Sequence, residues 1–105
     1  MSIIPKKRIP VTIDEKILEK YTGTYTIDEI NLTIDVSINN GTLIAQPLRD
    51  GHPGPTSVLL AKDNTHFFDA HDDELEVTLD IDNNGKIKGM RILQMGIPKY
   101  AKKIK

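Results

Sequence analysis

A chain of 105 residues with a formal net charge of −1 fits one domain, and folding at this size should bury roughly 60–65% of the extended surface, enough for one core and not for two. The near-balanced charge gives no bulk pull toward nucleic acid or an anionic membrane, and no apolar run approaches the roughly 20 residues that cross a bilayer. Cysteine is absent, which excludes a disulfide framework, a thiolate metal site and a cysteine nucleophile.

Charge is nevertheless segregated along the chain. Lys6, Lys7 and Arg8 lie at the start, Lys99, Lys102, Lys103 and Lys105 at the end, and residues 69–82 are rich in acid. Residues 1–12 read as a linker or basic arm, because Pro5 and Pro10 remove amide donors and hold the chain extended; residues 13–105 are then the domain. The arm has cations but no continuous apolar stretch, so it does not read as a signal peptide. Asp14 is placed to cap a short helix over 14–21. Ile17, Leu18 and Tyr21 recur at helical spacing, which predicts a plug for one end of a core.

From Gly23 the period changes to two. A tight turn at Asp28-Glu29 places Ile27 opposite Ile30, Tyr25 opposite Leu32 and Gly23 opposite Ile34. Leu32, Ile34, Val36 and Ile38 alternate with Thr33, Asp35 and Ser37, a strand with one dry face and one wet face. Asn40-Gly41 is the strongest hairpin signal, since a type I′ turn needs positive φ at both central residues. It sets Ile38 against Leu43, Val36 against Ala45 and Ile34 against Pro47, and Pro47 then ends the strand or sits at an edge. Residues 49–55 have no period and carry two glycines and two prolines, which predicts an exposed loop. Residues 56–61 and 66–69 form the next hairpin around Asp63-Asn64, with Leu60 opposite Phe67, and residues 70–73 a second, acidic loop.

Leu75, Val77, Leu79 and Ile81 form another alternating strand, turned by Asn83-Asn84-Gly85. A three-residue loop puts Ile87 opposite Ile81, but uninterrupted pairing would then set Gly89 against Leu79 and Arg91 against Val77. One extra residue at Lys88-Gly89 restores Met90 opposite Leu79 and Ile92 opposite Val77, so a β-bulge is predicted at Gly89. Pro98 separates this strand from a last one over 99–104. About eight short strands in up-and-down order favour an all-β antiparallel meander closed into a barrel, with one short N-terminal helix; a two-sheet sandwich is the alternative.

Tyr21-Thr-Gly-Thr-Tyr25 after a short helix, Asn40-Gly-Thr-Leu43, Phe67-Phe68, and the run Asp82-x-x-Gly-Lys-Ile-x-Gly-Met90 occur in an order that resembles one known family. It is the small β domain, catalogued as of unknown function, often found at the C-terminus of β-lactamase-related, penicillin-binding-protein-like serine hydrolases. The resemblance covers roughly residues 14–104 and implies a lipocalin-like barrel that is not itself catalytic. It also implies a serine-hydrolase catalytic domain as partner, in cis or in trans, and an extracytoplasmic setting. By the same resemblance the loop bearing Arg49, Asp50, His52, Pro53 and Pro55 is the candidate partner contact, stiffened by its prolines.

Other chemistry is disfavoured by the residues themselves. A hydrolase of that class needs Ser-x-x-Lys, and Ser2, Ser37 and Ser57 are followed at that spacing by Pro5, Asn40 and Leu60. Asp80-x-Asp82-x-Asn84-Gly85 copies half of a calcium loop, but Arg91 stands where the bidentate glutamate belongs, so it reads as a hairpin turn. His66, Asp69, His71, Asp72 and Asp73 read as a solvated acidic turn and not as a metal site. No cofactor is expected, nor membrane insertion; nucleic-acid binding is disfavoured because only Tyr100 lies among the terminal cations. The remaining alternative is a lipocalin-like carrier of a small apolar ligand. Leu32, Ile34, Val36, Ile38, Leu75, Val77, Leu79 and Ile81 are bulky enough to fill the lumen, so an open cavity with polar groups at its mouth is what would favour the carrier.

Overall fold

The computed structural model describes residues 10–72 and 74–105. In chain order it contains helix α1 (Glu15–Tyr21), then strands β1 (Gly23–Ile27), β2 (Leu32–Asn39), β3 (Thr42–Arg49), β4 (His52–Pro53) and β5 (Ser57–Ala61). Strands β6 (His66–Asp69), β7 (Leu75–Ile81), β8 (Ile87–Gln94) and β9 (Ile97–Lys103) follow, and a 3₁₀ turn, Asp28–Ile30, joins β1 to β2. All pairings are antiparallel. β1 pairs with β9 and β2 with β3, so eight of the nine strands close on themselves, while β4 pairs only with the end of β3. The expected up-and-down barrel is therefore the fold, and closure removes the sheet edges that a sandwich would leave. Most of the expected linker, residues 1–9, lies outside the described residues; the Val11 amide donates to the Ala61 carbonyl at 2.9 Å.

Local chemistry explains the elements that follow the sequence most closely. The Asp14 carboxylate accepts from the Lys16 amide at 2.9 Å and caps α1, whose Leu18 and Tyr21 are buried. In β2, Ile34 and Val36 are buried while Asp35 and Ser37 are exposed. Asn40 and Gly41 have φ of 53° and 75°, the left-handed pair that a type I′ turn needs, and Ile38↔Leu43, Val36↔Ala45 and Ile34↔Pro47 pair as expected. The bulge is also present: Leu79↔Met90 and Val77↔Ile92 pair, and the register shifts by one residue beyond Asp80.

Four turns differ from expectation, each for a local reason. Gly23 pairs with Val36, Tyr25 with Ile34 and Ile27 with Leu32, because Ile30 belongs to the 3₁₀ turn and Asn31 closes it at φ 50°. The shift is of two residues, so the inward face is kept. The β5–β6 hairpin uses three loop residues where two were expected, and Leu60 pairs with Phe68, Ala61 with Phe67. Asp63 makes the longer loop possible: its Oδ1 accepts from the amides of Thr65 and His66, both at 2.9 Å. The Thr65 amide, then the His66 ring, hold this exposed carboxyl down at about 2, so the turn's charged cap is kept above the ordinary aspartate range and lost as pH falls through about 2.

Residues 49–55 are not an aperiodic loop. Asp50 and Gly51 have φ of 52° and 81° and make a two-residue turn, after which His52 and Pro53 pair back on Arg49 and Leu48. Pro47 lies inside β3 and not at its end; β5 pairs with β3 only as far as Ala45, so the proline faces no broken ladder there. Likewise Pro98 is within β9, opposite Leu93, and the turn is made by Met95 and Gly96 at φ of 51° and 78°.

Candidate functional site

The two ends of the barrel are built differently. At one end α1 lies across the opening, near the turns at Asn40-Gly41 and 63–65. The Tyr21 ring meets Phe67 edge to face, with centroids 5.9 Å apart. Its hydroxyl donates to the Asn64 carbonyl at 2.6 Å, and the fully buried Tyr25 hydroxyl donates to the Tyr21 carbonyl at 2.7 Å. Burial raises the pKa of both phenols, which therefore stay neutral donors. In this half of the lumen Leu18, Tyr21, Tyr25 and Phe67 are buried, and a pocket of about 370 Å³ lies beside the helix, lined by Val11, Ile13, Leu18, Leu43, Leu59 and Phe67.

The other half is open. A cavity of about 540 Å³ is lined by Ile27, Leu32, Ile34, Ala45, Leu59, Leu75, Val77, Met90 and Ile92. Among the described residues no phenylalanine or tyrosine lines it, whereas Tyr21, Tyr25 and Phe67 all lie toward the helix end. An eight-stranded barrel is just wide enough for side chains to fill, and with Ala45 and no phenyl or phenol ring on this part of the wall the space is left open. The strand pattern alone leaves open whether the lumen is filled; in this half a cavity remains.

Polar side chains gather at the mouth. Arg49, His52 and Thr56 contribute one side, with Gly54 and Pro55 beside them, Asp69, His71 and Asp72 another, and Gln94 and Lys99 a third. Of the expected contact residues, Arg49, His52 and Pro55 face the cavity. Asp50 instead sits in the turn, donating its amide to the Asn31 carbonyl at 3.1 Å, and Pro53 is an exposed β4 residue. Gln46 fixes the base of this arm by donating to the Gly54 carbonyl at 2.7 Å and accepting from Thr56 at 2.8 Å. Asp69 is buried, and its Oδ1 accepts from the amides of His71 at 2.7 Å and Asp72 at 3.1 Å.

The metal-like patterns have structural duties instead. Asp82 Oδ1 accepts from the amides of Lys86 at 2.9 Å and Asn84 at 2.8 Å, which lower its pKa. Asp80 accepts the Tyr100 hydroxyl at 2.8 Å. Among the described residues, no group of three or more histidines and carboxylates is arranged to hold a metal ion; Asp73 lies outside them. A cavity with an apolar wall and a polar mouth is suited to holding an elongated apolar group by one end.

Residues 7–101 match a family model described as Domain of unknown function (DUF3471). The chain belongs to that family. None of the curated proteins matches it. The matched span of this DUF3471 domain includes every cavity-lining residue, so plug, barrel and mouth are parts of one unit. Sequence reasoning did not single out Gln94 or Lys99 as site residues, and it set Asp69 and His71 in a solvated turn. Strand parity was the available signal: Phe67 and Asp69 share a face, as do Lys99 and Ala101.

Proposed function

We propose that this DUF3471 barrel is a non-catalytic binding domain whose open half takes up the apolar part of a small ligand. The observation that carries the reading is the cavity of about 540 Å³ with its aliphatic wall, a volume in the range of small-molecule sites. Ala45 is the position at which it can be tested without disturbing the plug, since it lines the open half and is buried. Ala45→Phe should place a ring in the empty space, leave Tm nearly unchanged, and weaken binding of the neutral dye Nile red by about tenfold or more, the equivalent of roughly 1.4 kcal/mol. Equal dye affinity in both proteins would put the dye elsewhere and end the reading.

A second reading keeps the barrel beside a β-lactamase-related serine-hydrolase domain, in cis or in trans, as its accessory. The motif resemblance supports it, and so does the β8–β9 hairpin, where Leu93, Met95 and Ile97 stay 40%, 70% and 60% exposed next to the mouth. Apolar exposure of that kind, clustered at one tip, is a feature of contact surfaces. Met95→Ser combined with Ile97→Ser should keep the barrel's Tm and lower its affinity for such a hydrolase domain by roughly tenfold, read by titration calorimetry. Unchanged affinity leaves the hairpin as an ordinary turn.

A further inference from the structure

We infer that the ligand of the open cavity is an anionic amphiphile, its apolar chain in the barrel and its negative group at the mouth between Arg49 and Lys99. The inference rests on the cavity reading above and adds the chemistry of the headgroup.

Both cations face the lumen by strand parity. Along β3, Leu43 and Ala45 point inward and Arg49 continues the same face; along β9, Ala101 points inward and Lys99 follows it. Arg49 pairs across the β3–β4 turn with His52, and directly opposed residues have Cβ atoms about 5 Å apart, so a guanidinium and an imidazole stand together. Ile27 and Leu32, themselves paired, separate Arg49 from Lys99 around the rim. The two cations thus flank an apolar arc of the mouth.

The sign of the ligand follows from which charged side chains at the mouth are free to reach it. The carboxylates keep their charge but are held to the backbone: Asp69 Oδ1 accepts from the amides of His71 and Asp72, and Asp72 Oδ1 accepts from the Glu74 amide at 2.9 Å. Arg49 and Lys99 are exposed and have no carboxylate partner among the described residues. The ion pairs among the described residues are Lys62–Glu76 and His66–Asp63, and neither involves Arg49, His52 or Lys99. A carboxylate or sulfate at the rim gives Arg49 the charge-assisted, two-pronged hydrogen bonding that its planar fork favours. Asp69, deeper on the opposite wall, repels the same group from going further in, which orients the apolar end inward.

Calorimetric titration of the chain near neutral pH with decanoate, decanol and decylamine separates the possibilities, because all three share the apolar part. Decanoate should bind roughly tenfold more tightly than decanol, with decylamine weaker than decanoate, and high salt should narrow the gap. Arg49→Gln and Lys99→Gln should each cost decanoate roughly threefold to tenfold and leave decanol unchanged. Lys102→Gln, on the outward face of β9, should change none of the three. Equal binding of decanoate and decanol, or tightest binding of decylamine, overturns the anionic headgroup while the cavity reading stands. Failure of all three to bind overturns both.

Discussion

Gly89→Val should lower Tm by roughly 10–20 °C, the equivalent of about 2–3 kcal/mol in a domain of this size. Gly89 is buried at the bulge, in the part of β8 that pairs with β9. A Cβ there would run into the Ala101 carbonyl and lie 2.7 Å from the Tyr100 hydroxyl and 2.9 Å from its ring carbon. The ring can move, but the carbonyl belongs to the β8–β9 ladder. Gly89→Val in a Tyr100→Ala background should therefore stay well below Tyr100→Ala alone. Gly85→Ala is the contrast: its φ of 81° is left-handed but a Cβ meets nothing within 4 Å, so the cost should be about 1 kcal/mol. Thermal unfolding of these variants by circular dichroism checks the order. Gly89→Val melting with the parent protein would mean that the close approach is relieved by a small strand shift.

Gly89 also shows what a sequence can disclose about such a barrel. Parity required an extra residue there, because without it arginine and glycine would have replaced Met90 and Ile92 on the inner face. Asn40-Gly41 was legible for a related reason: turn chemistry and apolar pairing gave the same register independently. The misses lie where only one of those constraints acts. Asp28-Glu29 looked like the turn because Ile30 fits the strand pattern, yet Asn31 tolerates left-handed φ and moves the corner by a residue. Asp50-Gly51 is as good a hairpin signal as Asn40-Gly41, but Pro53 and Pro55 hid it, since two residues of strand leave no alternation to read. At Met95-Gly96 the first turn residue has no preference for positive φ, so Pro98 drew the boundary instead. The cavity was less legible than the barrel. Alternation states which residues face inward; it does not state that α1 closes one end, and that fact decides which inward residues lack an opposing ring.

Tyr21→Ala should be the most damaging single truncation, costing about 3–5 kcal/mol and leaving the domain unfolded or nearly so at physiological temperature. Three contacts depend on this side chain or its position. The ring packs on Phe67 at an interplanar angle of 87°, its hydroxyl satisfies the Asn64 carbonyl in the β5–β6 turn, and its own carbonyl receives the Tyr25 hydroxyl from inside the barrel. With only seven residues, α1 has too few internal hydrogen bonds to persist unaided, so loss of the ring removes the helix's hold on the barrel as well as apolar burial. Tyr21→Phe separates the effects. It keeps the ring against Phe67 and leaves the Asn64 carbonyl without its donor, which should cost only about 1 kcal/mol. Urea unfolding of the two variants measures the difference, and Nile red binding by Tyr21→Phe should match the parent, because the plug and the open cavity occupy opposite ends. A loss of dye binding in Tyr21→Phe, with stability retained, would show that the two ends are coupled and that the helix does more than close the barrel.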